Sequence, residues 1–296
     1  MIKSTTPLLV ILLIIVVGVA NAESIVVIDD SGTTLTLSEP AKRVVGLSPH
    51  IVENLFAAGA GETLVGAVAY ADFPEAAKTL PALGSFAFIN MEALVALQPD
   101  LVIAWGSGNG DKTITQIREL GLTVYVDEPK QLRDIAHSLV QFGLLTGHVP
   151  SAEQAAQQFL TELNSLQETY KNSPPLSVLY QIWHSPIQTI NDQHTISSVI
   201  KLCGGRNAFA DALPVAPVVN RETVLARNPD VIIASGADDN RPVWLDNWKE
   251  WPSLKAVQQQ ALFFIPPDYL QRHTPRILIG AQQMCEQLQG VRELHQ

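Results

Sequence analysis

The sequence predicts an α/β protein of two Rossmann-like lobes, each built on a doubly wound parallel sheet, joined by one long rigid helix with a ligand cleft between the lobes. Three observations lead there. The unit Asn90-Met91-Glu92, running on to Pro99-Asp100-Leu101-Val102-Ile103-Ala104, returns 130 positions later as Asn220-Arg221-Glu222, running on to Pro229-Asp230-Val231-Ile232-Ile233-Ala234. Strand-like and helix-like segments alternate around each copy. Between the two series, the chain from Ser151 to Ser173 contains neither Gly nor Pro.

Each copy of the unit reads as a short helix opening on Asn as N-cap, with a carboxylate in its first turn where the helix dipole favours negative charge. Proline ends the helix, because it disfavours helical backbone in the residue before it. The aliphatic run after Pro-Asp is the pattern of a strand covered on both faces. One copy falls in each half, so the chain divides into a segment 1–22, an N-terminal lobe 23–149, a linker helix 150–172 and a C-terminal lobe 173–296.

Residues 1–22 carry Lys3, an apolar run from Leu8 to Ala20, and Ala20-Asn21-Ala22, a small-x-small cleavage site. They read as a secretory signal. The apolar run is shorter than the roughly 20 residues a spanning helix needs, and no cysteine stands near the cut to take a lipid. Removing the segment takes away one lysine and no acid, moving the formal charge from −10 to −11. That balance excludes nucleic acid and anionic lipid as natural partners. The only cysteines are Cys203 and Cys285. An oxidising compartment favours a bond between such a pair, worth on the order of 4 kcal/mol by loop-closure entropy.

In chain order, Ile25 to Ile28 and Thr33 to Leu37 flank Asp29-Asp30-Ser31-Gly32, a strand, turn and strand read as an edge hairpin. Strand and helix then alternate: Val44 to Leu47, Val52 to Ala60, Leu64 to Val68, the first repeat, Ile114 to Leu120, and Val124 to Val126. Ser151-Ala152-Glu153-Gln154 has the form of a capping box. Ala155, Phe159, Leu163, Leu166 and Tyr170 follow it at helical spacing, which gives a stiff connector. The second series runs from Val178 to Ile182, through Ile196 to Leu202 and the second repeat, to Leu262 to Ile265 and a closing helix from about Pro275 to Leu288.

These features resemble the helical-linker class of periplasmic substrate-binding proteins, which deliver metal chelates to ABC importers. The residues that carry the resemblance are Arg43 to Pro49, the doubled Asn-x-Glu and Pro-Asp unit, and the single long helix. Within the class the chain is most similar to the cobalamin-binding branch. There the shared stretches are Tyr70-Ala71-Asp72-Phe73-Pro74, Leu101 to Trp105, Leu202 to Asn207, Asp268 to Arg272 with Pro275-Arg276, and Gly280 to Cys285. The resemblance implies a non-catalytic, periplasmic, monomeric carrier with no cofactor of its own, cobalamin being its transported ligand. It also implies a Cys203–Cys285 disulfide, and Glu92 and Glu222 docking on arginines of a permease dimer. The bland alternative for each Glu is an interaction with its own helix dipole, worth about 0.3–1 kcal/mol.

By the same resemblance the ligand-binding residues are Ser48, Pro49, His50, Tyr70, Phe86, Trp105, Trp183, Asp268, Tyr269, Leu270, Gln271 and Arg272. Tyr70 follows a strand and offers a ring face to a flat macrocycle. Phe86 stands where haem-binding relatives carry an iron-ligating tyrosine, and a phenyl ring cannot ligate iron, although His50, His194 or His273 could supply a ligand. Trp105 ends the first repeat's strand and Trp183 follows Val178 to Ile182, which makes both candidates to line the cleft, the alternative being ordinary buried core aromatics. Asp268 accepts and Arg272 donates hydrogen bonds to the corrin amides, unless the two simply pair on the surface. His50 replaces a small residue of the family. It reaches the ligand or its cobalt, or faces solvent, and solvent is the favoured reading. Trp244, Trp248 and Trp251 read as an amphipathic surface element of open role.

Gly106 to Thr113 nearly spells a phosphate-binding P-loop, but Asp111 stands where the motif requires Gly. No nucleophile elbow, metalloprotease helix or zinc spacing occurs elsewhere. The rivals are therefore haem and ferric siderophores within the same class, and remotely a periplasmic enzyme, which would need a strongly perturbed acid, base or nucleophile in the cleft.

Overall fold

Alternating aliphatic residues and short Gly- or Pro-marked turns give the chain two four-stranded parallel sheets. The computed structural model describes residues 24–236 and 239–294. The predicted signal, residues 1–22, lies outside them.

The N-terminal lobe runs β1 (Ile25–Ile28), β2 (Thr34–Leu37), β3 (Val44–Gly46), α1 (Pro49–Ala57), β4 (Leu64–Ala67), β5 (Gly84–Ser85), β6 (Phe88–Ile89), α2 (Met91–Ala96), β7 (Leu101–Trp105), α3 (Gly106–Glu119), β8 (Val124–Asp127) and α4 (Asp134–Thr146). Helix α5 (Val149–Tyr170) follows. The C-terminal lobe runs β9 (Leu176–Gln181), β10 (Trp183–His184), β11 (Ile187–Gln188), α6 (Thr195–Leu202), β12 (Gly205–Asn207), β13 (Val218–Val219), α7 (Arg221–Arg227), β14 (Val231–Ala234), α8 (Lys255–Gln258), β15 (Leu262–Phe264), α9 (Pro267–Leu270) and α10 (Ile277–Glu293). The main sheets have the orders β4-β3-β7-β8 and β12-β9-β14-β15.

The doubled unit folds twice in the same way. Asn90 Oδ1 accepts the Ala93 N–H at 3.0 Å, and Asn220 Oδ1 accepts the Thr223 N–H at 2.8 Å, each capping its helix. Each aspartate of Pro-Asp reaches sideways to the neighbouring central strand. Asp100 takes the N–H groups of Lys42 and Arg43 just before β3, and Asp230 takes that of Ser177 in β9.

Along the central strands, alternate side chains enter different cores. Val44, Leu101, Ile103, Tyr125, Val178, Tyr180, Val231 and Ile233 join one apolar cluster that runs through both lobes, α5 and α10. Their neighbours in sequence fill separate outer cores, Val45, Val102 and Ala104 in one lobe and Leu179, Ile232 and Ala234 in the other. The 22-residue α5 spans roughly 33 Å at about 1.5 Å per residue, and its Ala152, Ala156, Phe159 and Leu163 sit in the shared core. The disulfide joins Cys203, at the end of α6, to Cys285 in α10.

Several local expectations need correction. Helix α5 begins at Val149 with Pro150 in its first turn, so Ser151 is inside the helix and caps nothing. Proline fits there because first-turn N–H groups are unpaired anyway. Ser151 instead closes on Gly59, where a side-chain carbon would stand 2.8 Å from the Ser151 Cβ and where φ is +84°. The β1–β2 hairpin is a separate two-stranded sheet rather than the edge of a larger one, tied to β8 by the Asp30 N–H on the Val126 carbonyl. Trp248 is buried, its indole N–H donating to Gln181 Oε1 at 2.8 Å, so the tryptophan-rich segment belongs partly to the core.

Candidate functional site

The carboxyl ends of both sheets face one cleft, where open α/β sheets present their loops. Ser48, Pro49 and His50 follow β3, Tyr70 follows β4, Trp105 ends β7, and Pro267, Asp268, Gln271 and Arg272 lie on and just after α9. With Phe86 they line an open cavity of ≈ 450 Å3. A second cavity of ≈ 590 Å3 adjoins it at Trp105, bounded by Lys130, Gln193, His194, Val215 and His273 among others. Tyr70 is 77% exposed and holds φ at +64°, a left-handed conformation unusual outside Gly. Its exposed ring lines the cavity.

Three predicted ligand residues lie elsewhere. Leu270 is buried in the shared core. Tyr269 is half-buried, with the Arg276 guanidinium 5.8 Å from its ring centroid. Trp183 does not line the cavity, and its ring lies 5.2 Å from that of His184, which stacks on Trp244.

The floor of the cleft is an ion-pair network between lobes. Arg276 donates to both oxygens of Glu53 at 2.7 and 2.6 Å, and lies 4.0 Å over the Phe73 ring. Arg272 pairs with Asp72 of the N-terminal lobe at 2.7 Å and with Asp268 of its own lobe at 2.9 Å. Asp268 and Arg272 thus pair, as the bland reading had it, but across the base of a cleft and not on an isolated surface. Burial raises the Asp268 pKa, partly against the attraction of Arg272. Asn54 adds a bond from its amide to the His273 carbonyl. Glu53 and Asn54 escaped sequence reasoning, and Asp72 and His273 were named there without their part in this network. A glutamate inside the apolar stretch of α1 was the available signal, because a buried carboxylate needs a partner.

His50 is buried, which overturns the solvent-facing expectation. Its Nδ1 is 2.6 Å from Ser48 Oγ, and its ring meets Trp105 and His273 edge-on, at 5.2 and 5.5 Å between centroids. Its Nε2 faces Asp127 Oδ2 at 3.8 Å, and neither atom has a hydrogen-bond partner among the described residues. Burial, with His273 and Arg272, pushes the His50 pKa well down. Burial pushes the Asp127 carboxyl up to about 7, although Ser138 donates to it. A raised acid pKa means that the folded protein holds a proton which the unfolded chain releases near 3.8. Stability therefore falls as pH rises from about 4 to about 7 and levels off above that. Asp127→Asn keeps the acceptor for Ser138 and turns an N–H toward His50 Nε2. Thermal melts should show the variant more stable than the parent at pH 8, with the difference closing by pH 4. No gain at pH 8 would show that Asp127 is not a strained acid.

Glu128 explains why Gly106 to Thr113 is no phosphate loop. Its carboxylate accepts the Ser107 N–H at 2.6 Å and the Ser107 hydroxyl at 2.9 Å, filling the start of α3. Glu92 and Glu222 are exposed, each in the first turn of its helix, and neither has an ion-pair partner among the described residues. Among the described residues, no helix is long and apolar enough to cross a membrane, and no cluster of three His, Cys, Asp or Glu side chains is placed to hold a metal ion.

The family model described as "Periplasmic binding protein" matches residues 44–269. The chain is 38% identical to the vitamin B12-binding protein of Yersinia pestis (strain Pestoides F) over 259 residues, 87% of this chain and 90% of that one. Its fold is similar to the crystal structure of the periplasmic vitamin B12 binding protein of Vibrio cholerae, with TM-score 0.80 and 34% identity over 86% of this chain and 98% of that one. A periplasmic heme-binding protein from Roseiflexus sp. RS-1 matches with TM-score 0.75 at 23% identity, over 85% of this chain and 99% of that one. That second likeness is one of fold alone.

Proposed function

Because the chain belongs to the periplasmic binding protein family, we propose that its cleft captures cobalamin, a corrinoid, and that the loaded carrier docks on the permease dimer of an ABC importer. The protein is a carrier and not an enzyme, and cobalamin is its cargo. Removal of residues 1–22 leaves a periplasmic monomer with lobes 23–149 and 173–296 about the linker segment 150–172, which α5 (Val149–Tyr170) largely fills.

The observation that carries the choice of ligand is the charge state of the cleft floor. Arg272 and Arg276 are already paired with Asp72, Asp268 and Glu53. A haem propionate or an anionic siderophore would have to displace a carboxylate to reach either guanidinium, giving up one ion pair for another. Corrin amides need no such exchange, because Asp268, Gln271 and Arg272 can accept and donate hydrogen bonds at the edge of a neutral ring. The wall supplies Tyr70, Phe86 and Trp105, aromatic faces suited to a flat macrocycle. Phe86 offers no atom to an iron, and His50 lies buried with Nδ1 bonded to Ser48.

The purified protein from residue 23 onward should show saturable, one-to-one quenching of tryptophan fluorescence by cyanocobalamin, with weaker responses to haemin and a ferric hydroxamate. Tyr70→Ala should weaken cobalamin binding by roughly tenfold, the worth of one aromatic contact of about 1.4 kcal/mol. Haemin binding tighter than cyanocobalamin in calorimetry would overturn the assignment.

A further inference from the structure

The two short helices that carry Glu92 and Glu222 share more than a carboxylate. In each, the residue before the cap packs inward with a residue of the second turn, Ile89 with Leu94 against one outer core and Val219 with Val224 against the other. This staple fixes the angle at which the chain enters the helix. With residues 89 and 219 held inward, the preceding residues must point out, since strand side chains alternate. Those residues are Phe88, 82% exposed, and Val218, 62% exposed. One turn along from each Glu stand Val95, 43% exposed, and the half-buried Leu225, at the i+3 spacing that puts them beside the carboxylate. Both lobes thus present an acid bracketed by apolar groups at the same offsets, and pay exposed hydrocarbon to do so.

An exposed ion pair in water is weak, because solvent screens it and the side chains lose freedom. An apolar rim that closes around the pair excludes water and makes it a desolvated contact. We propose that Phe88 and Val95 around Glu92, and Val218 and Leu225 around Glu222, form apolar collars that seat in two matching sockets of the permease, each an arginine inside a nonpolar rim. This rests on the docking reading above and deepens it by naming the chemistry of the partner's surface. The permease is the occupant that fits, since one collar per lobe, repeated at one spacing, matches a partner made of two like halves.

The test uses the full mature protein, loaded with cyanocobalamin, and the importer's permease in lipid nanodiscs. Phe88→Ser with Val218→Ser should weaken binding to the permease at least tenfold and steepen its dependence on salt, with cyanocobalamin affinity and thermal melt unchanged. Glu92→Arg with Glu222→Arg should abolish binding. If charge reversal abolishes binding while the serine variant binds as the parent does, the collars are overturned and the docking reading stands. If neither variant changes binding, the docking reading itself falls. Weakening by the serine variant alone would mean docking by apolar contact without the carboxylates, which also overturns the proposal. Loss of a concentration-dependent dimer on serine substitution, seen by sedimentation, would assign the collars to a second copy of this chain instead.

Discussion

Glu53→Ala will lower the stability of the protein by about 3–5 kcal/mol, the usual cost of stranding a buried charge. Glu53 is almost wholly buried in α1, and both its oxygens are taken by Arg276. Its removal leaves the Arg276 guanidinium over the Phe73 ring, with Asp268 at 3.9 Å as its remaining acid. At roughly 2–4 °C per kcal/mol for a chain of this size, the melting temperature should fall by about 10 °C. Glu53→Gln keeps an acceptor for Arg276 but not the charge, and should fall between. A loss under about 1 kcal/mol would mean that the pair across the lobes contributes nothing net, as replaceable buried pairs sometimes do.

Reversing both exposed carboxylates, Glu92→Arg with Glu222→Arg, should abolish uptake of cobalamin while leaving its affinity for the carrier within twofold. Neither residue lines the cavity, and among the described residues neither makes an ion pair that reversal would break. On the proposed docking, in which each carboxylate meets an arginine, each reversal turns attraction into repulsion, which costs several kcal/mol per site and suppresses encounter as well as residence. Single reversals should give partial loss, since one lobe still engages. Uptake at the parental rate by the double variant would remove the docking role from both residues.

What was legible in the sequence was local. Asn caps, a carboxylate in the first turn and a Pro-Asp stop lie within a few residues of one another, so both repeats and the strands after them could be placed from the chain alone. The resemblance put Tyr70, Phe86, Trp105 and Arg272 near one opening. The role of Asp100 and Asp230 was not legible, because each satisfies N–H groups more than fifty positions away. The partnership of Glu53 with Arg276 spans 223 positions and could not be seen in either neighbourhood. His50 misled for a related reason. A histidine beside Ser-Pro at a strand end looks like a loop residue, and only the arrival of Trp105 and His273 from elsewhere buries it. Trp248 likewise sits in a polar stretch whose other face becomes core when Gln181 reaches it.

The apolar cluster that passes without interruption from one lobe through α5 and α10 into the other has a consequence for how cargo is recognised at the membrane. Swinging the lobes wide would split that cluster and take Asp72 from Arg272 and Glu53 from Arg276. Vacant and filled carriers must then show the permease nearly the same outline. On the proposed docking, occupancy is not announced by posture, and surplus vacant carrier should act as a competitive inhibitor of uptake.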